Sequence, residues 1–144
     1  MKSIMEVRKP LENYSRFMQA TVETLFHAVS VADGPAVRPL LTDDILMELP
    51  FALPPFPSAK SGGDAVASGI QNGSRIFTRF RLVPLIFYPS PETSTIVVEA
   101  ESEGDLVKGG TYSNRYVFIF KFEKRKIAHW KEYFNPLRLP DFSV

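Results

Sequence analysis

An α+β fold is predicted by three observations: apolar residues recur at helical spacing through the first part of the chain, the second half alternates with period two, and no helix-spaced stretch follows the strands. An all-strand C-terminal half argues against a doubly wound parallel sheet, which needs helices between its strands to the end.

From Leu11 to Ala32, the residues Tyr14, Phe17, Met18, Val22, Leu25, Phe26 and Val29 follow one another at steps of mostly three and four and paint one stripe on a helix. Asp33, Gly34 and Pro35 end it, since Gly accepts a left-handed cap and Pro cannot extend the hydrogen-bond ladder. A short second helix is expected up to Leu41. Ile45 to Phe51 reads as a strand, and LPPFPSAKSGG after it, with three prolines and two glycines, reads as a loop. Asp64 is placed to cap a helix from Ala65 to about Phe77, on which Val66, Ile70, Gly73 and Phe77 share a face. Strands follow near Phe80 to Tyr88, Thr95 to Glu103, Thr111 to Glu123 and Lys126 to Asn135. Pro84 marks the first of these four as an edge or bulged strand.

With 144 residues, 44% of them hydrophobic and 23% charged, the chain has the size and composition of one globular domain, residues 1–144. A net charge of +1 gives no basic patch for a nucleic-acid backbone. The absence of cysteine rules out disulfides, a thiol nucleophile and thiolate metal sites. Charges at Lys2, Glu6, Arg8 and Lys9 break up the apolar run that a signal peptide requires, and no window approaches the roughly 20 apolar residues of a membrane span. The expected location is the cytoplasm, with no membrane partner, no cofactor and no metal.

The final hairpin is the most informative segment. If Lys124 and Arg125 form a two-residue turn, Glu123 faces Lys126 and Val117 faces Glu132. Alternation then puts Arg115, Val117, Ile119, Trp130, Glu132 and Phe134 on one face, and Tyr112, Tyr116, Phe118, Phe120, Ile127, His129 and Tyr133 on the other. Both faces are largely apolar, so each needs a cover. A second copy of the chain over the Tyr116, Phe118, Phe120 and Tyr133 face is the simplest one, giving a homodimer. The competing cover is the tail LRLPDFSV. Lys124 and Arg125 are poor residues for a primed turn, and a slip of one residue exchanges the faces.

This hairpin resembles the SnoaL-like polyketide cyclase and steroid isomerase group within the nuclear transport factor 2-like superfamily. The resemblance rests on Tyr112, Asn114 and Tyr116, then Lys126 and Ile127, then Glu132 to Pro136. The ending is also similar to the phenazine-biosynthesis A/B branch, and ELPFALPP (48–55) adds a weaker likeness to SnoaL-like members. The resemblance implies a cone-like, curved antiparallel or mixed sheet wrapped by N-terminal helices. It also implies a pocket between helix 1 and the concave face, into which the positions matching Trp130, Glu132 and Phe134 project. The carboxylates that steroid isomerases need match Leu49 and Val117 here, so proton shuttling in that style is not supported. Their helix 1 tyrosine has no equivalent beyond Tyr14.

Glu132 is the candidate catalytic residue. A carboxylate among Val117, Ile119, Trp130 and Phe134 is desolvated, and its pKa rises toward the range of a general acid or base. In the phenazine A/B branch the matching Glu is regarded as the acid/base residue, although its His has no counterpart here. The competing reading pairs Glu132 with Arg115, its diagonal neighbour. Trp130, Phe134, Val117, Ile119, Arg115, Leu49 and Phe51 are the expected ligand-binding residues for a small hydrophobic molecule. The run PFALPPFP serves either as an apolar lid or as a rigid connection. His27 pairs with Glu23 one turn earlier on the helix, and His129 falls on the interface face. Asp43 and Asp44 read as solvated turn residues. The activity these residues suggest is that of a cofactor-free isomerase, cyclase or condensing enzyme; the alternative is a ligand-binding or accessory protein without chemistry.

Overall fold

Ser3 and Glu6 form a capping box, each side chain bonding the other's backbone N–H, and start a long helix, α1 (Ile4–Ser30). The structure, a computed structural model, describes residues 1, 3–54 and 56–140. The helix begins seven residues before the apolar stripe because its cap, not burial, sets its start: Ile4, Met5 and Val7 stay exposed, and Pro10 sits inside the helix at the cost of one ladder bond. Its far end stops after Ser30, and Asp33 caps the next turn, α2 (Gly34–Val37), through a bond from the Ala36 N–H.

The first strand, β1 (Leu41–Glu48), starts and ends earlier than its apolar pattern suggests, because Leu49, Pro50 and Phe51 turn away from the sheet. A short strand, β2 (Ala59–Ser61), lies in the segment read as loop; pairing with β1 satisfies its backbone. Next comes α3 (Gly63–Gln71), capped by Gly62 at positive φ rather than by Asp64, whose carboxylate instead binds Arg38 at 2.7 Å. The four long strands follow: β3 (Phe77–Ser90), β4 (Thr95–Leu106), β5 (Thr111–Glu123) and β6 (Lys126–Phe134).

They form one mixed sheet in the order β2-β1-β6-β5-β4-β3, with β1 parallel to β6 and the other neighbours antiparallel. β3 is an edge strand with an irregularity just after Pro84, as its proline requires. Such irregularities in β1, β3 and β6 bend and twist the sheet into an open curve. α1 lies across the inner face, where Met18, Val22, Leu25 and Phe26 pack with Phe118, Phe120 and Trp130 in the core. The Phe26 and Phe118 ring centroids are 4.9 Å apart. Among the described residues no helix is long and apolar enough to cross a membrane.

Candidate functional site

The hairpin between β5 and β6 turns at Lys124 and Arg125, with Glu123 opposite Lys126. Lys124 adopts φ 56°, a conformation ordinary residues resist, and α1 holds it there: the Tyr14 hydroxyl donates to the Lys124 carbonyl at 2.6 Å, and the Arg125 guanidinium lies 3.9 Å from the Phe17 ring centroid. Past the turn the register changes. Phe122 opposes Ile127, but Lys121 opposes His129, so Ala128 is an extra residue in β6 and every later pair is displaced by one. Glu132 therefore faces Phe118, and Trp130 faces Phe120.

This bulge splits the expected faces. β6 sends Trp130, Glu132 and Phe134 to the inner side as predicted, but the β5 residues that join them are Tyr112, Asn114, Tyr116, Phe118 and Phe120. Phe118 and Phe120 are fully buried and Tyr116 nearly so, which removes them from the expected dimer face and makes them interior. Arg115, Val117 and Ile119 lie on the outer side. Arg115 is exposed and leans toward Glu101 at 3.7 Å, so the ion pair with Glu132 does not form.

Around Glu132 the inner face carries a polar cluster. The Trp130 indole N–H donates to the Glu132 carboxylate at 3.1 Å. The Tyr116 and Ser102 hydroxyls are 2.7 Å apart, Tyr112 and Tyr116 share a longer contact of 3.4 Å, and Asn114 donates to the Tyr112 oxygen at 2.9 Å. Among the described residues Glu132 has no cationic partner. Burial pushes its carboxyl up to about 7, a rise that the Trp130 bond partly opposes. Burial also raises both phenols, and the nearby Glu132 charge adds to the rise, so Tyr112 and Tyr116 stay protonated. A carboxyl that changes charge near neutrality beside phenols that do not is a donor-rich, one-proton site.

Comparison with known proteins gives the fold its name. No family model and no curated protein matches the sequence, but solved structures do match the architecture. A nuclear transport factor 2-like protein of unknown function from Burkholderia pseudomallei superposes with a TM-score of 0.73 at 26% identity, over 85% of this chain and 93% of that one. The chain has the nuclear transport factor 2-like fold. A phenazine biosynthesis-related protein from Pseudomonas aeruginosa is similar at TM-score 0.75 and 15% identity, over 94% of this chain and 96% of that one. An LEH-like epoxide hydrolase from M. tuberculosis gives 0.69 at 16% identity, covering 86% of each chain.

Within this nuclear transport factor 2-like sheet the remaining candidates scatter. Leu49 is partly buried beyond the end of β1, where its N–H bonds the Ser58 carbonyl at 2.7 Å. Phe51 is half exposed and packs edge-on against Tyr133, with centroids 5.4 Å apart. Arg115, Val117 and Phe134 do border one groove, of about 350 Å³, together with Leu85, Tyr116, Tyr133 and Asn135. Val117, which matches the steroid isomerases' second acid, points away from the interior; the inward residue opposite Glu132 is Phe118. His129 lies opposite Lys121 and bonds Glu48, and exposed His27 has no bond to Glu23, whose carboxylate instead accepts from Gln19. Asp43 is a strand residue, and Arg38 bridges it to Asp64. Residues 141–144 of the tail that competes as a cover lie outside the described residues, as does Pro55 of the proline-rich run. The tyrosine, asparagine and serine cluster was missed by the sequence reading. Its signal was present: Tyr112, Tyr116, Phe118, Phe120 and Phe122 form the more apolar row of β5.

Proposed function

We propose that this chain binds a small, largely apolar molecule against the inner face of its sheet and that Glu132 exchanges a proton with it, as in a cofactor-free isomerase, cyclase or condensing enzyme. The observation that carries this reading is a carboxyl without a cationic partner among the described residues, held on the inner face by Trp130 and pushed to about 7. Such a group takes a proton from a carbon next to a carbonyl or imine and returns it elsewhere without a large mismatch at neutral pH. Arg115, on the outer side, plays no part in setting its charge. The similarity of the chain's ending to the phenazine A/B branch, whose matching Glu is regarded as the acid/base residue, supports the same choice.

The alternative is a carrier without chemistry, in which protonated Glu132 anchors a ligand oxygen. Proton exchange separates the two. Cyclic ketones and aryl ketones are incubated in D2O with the protein and followed by NMR for deuterium entering beside the carbonyl. Catalysed exchange that falls about 100-fold or more in Glu132→Gln supports the enzyme. Binding without exchange supports the carrier, and exchange unchanged in Glu132→Gln sinks the role given to this residue.

The homodimer belongs to the same proposal, on the other side of the sheet. The outer face gathers Tyr133, Val117 and Ile86 between Arg115 and the carboxylates Glu99 and Glu101, a mixture of charges that a two-fold pairing can set against itself.

A further inference from the structure

Asn114 is almost fully buried on the inner face, two residues before Tyr116, which makes the last pair of the hairpin with Phe134. Past that pair, Asn135 bonds the Asn114 side chain. Asn114 Oδ1 accepts from the Asn135 N–H at 3.0 Å and from the Arg115 N–H at 2.8 Å, while its Nδ2 donates to the Asn135 carbonyl at 3.0 Å. Backbone N–H groups only donate and a carbonyl only accepts, so the amide cannot be turned over without losing all three bonds. Backbone atoms thus fix which end of Asn114 is nitrogen.

The consequence reaches the cluster around Glu132. Nδ2 also meets the Tyr112 oxygen at 2.9 Å, and an amide N–H can only donate, so the phenol must accept and turn its own hydrogen away from Asn114. Beyond Tyr112 stand two contacts between hydroxyls, Tyr112 to Tyr116 and Tyr116 to Ser102, in which either oxygen can be the donor. We propose that Asn114 is a positioning residue that fixes the direction of this hydroxyl chain, so that donors run from Asn114 through Tyr112 and Tyr116 to Ser102. Its value to the site rests on the reading that Glu132 works on a ligand at this face; the direction of the chain does not.

The test uses full-length protein labelled at tyrosine Cζ, whose shift reports what each hydroxyl donates to and accepts from. Asn114→Asp keeps an acceptor for the two N–H groups but replaces the donor, so Tyr112 must reverse and donate. The Tyr112 and Tyr116 signals are expected to move together, while Tyr14, bonded to the Lys124 carbonyl, and Tyr88, bonded to Glu99, stay in place. In a Tyr112→Phe background the same change is expected to leave Tyr116 unmoved. A Tyr116 shift equally large in that background, or an unmoved Tyr112 in a folded variant, overturns the proposal. If Asn114→Asp does not fold, Tyr112→Phe alone asks the question through the Asn114 side-chain amide: the proton facing Tyr112 must shift and the one facing Asn135 must not. Neither proton moving also overturns it. None of these signals depends on Glu132 titrating near neutrality, so this inference and the proposed function can fail separately.

Discussion

A carboxyl that trades water for an indole and a phenylalanine ring keeps its proton to a higher pH than one in solvent, and Glu132 does so up to about 7. The linkage has a definite sign. The folded state holds a proton that the unfolded chain releases above its ordinary 4.5, so the stability from this group is complete below about 4.5 and is lost as pH rises to about 7. The rise from 4.5 to about 7 corresponds to a loss of at most roughly 3 kcal/mol. Glu132→Gln, which has no charge to bury, is expected to be more stable than the parent at pH 8 by a similar amount and nearly equal to it at pH 4.5, as urea unfolding at the two values will show. Trp130→Phe removes the hydrogen bond that opposes the rise; the Glu132 titration is expected to move further up, and a downward move would contradict the assigned cause.

Among the elements, the β5–β6 hairpin decides what the interior contains. Its turn was legible, since alternation on both sides brings Glu123 opposite Lys126. The bulge was not: one inserted residue leaves both halves of β6 alternating normally, and Ala128 has no side chain large enough to declare a face. That single residue explains why Trp130, Glu132 and Phe134 were assigned inward correctly while Arg115, Val117 and Ile119 were not. The long helix and the strand positions were readable from periodicity, but the start of α1 follows a cap and β2 follows a partner strand, neither of which periodicity measures. The strained turn makes its own prediction. Lys124→Gly relieves the positive φ and is expected to raise stability by about 1 kcal/mol in urea unfolding. Tyr14→Phe, which removes the bond to the Lys124 carbonyl, is expected to lower it by about 1 kcal/mol.

For the molecule as a whole, one side of the sheet is closed by α1 and the other is left facing outward. Phe26→Ala removes a side chain packed against Phe118 and Phe120 and is expected to cost about 3–5 kcal/mol in urea unfolding, the penalty of a cavity in a fully buried core. On the outer side, if two copies meet over Val117 and Tyr133, Val117→Glu buries an unmatched charge and is expected to weaken association at least tenfold in sedimentation; a parent that sediments as a monomer at micromolar concentration removes the dimer. The site depends on a different question, whether the inner face holds Glu132 away from water in solution. Carboxyl 13C NMR of Glu132 across pH 3 to 9 answers it most directly. A midpoint near 7 is expected, and one near the ordinary 4.5 would contradict the desolvated carboxyl on which the proposed chemistry depends.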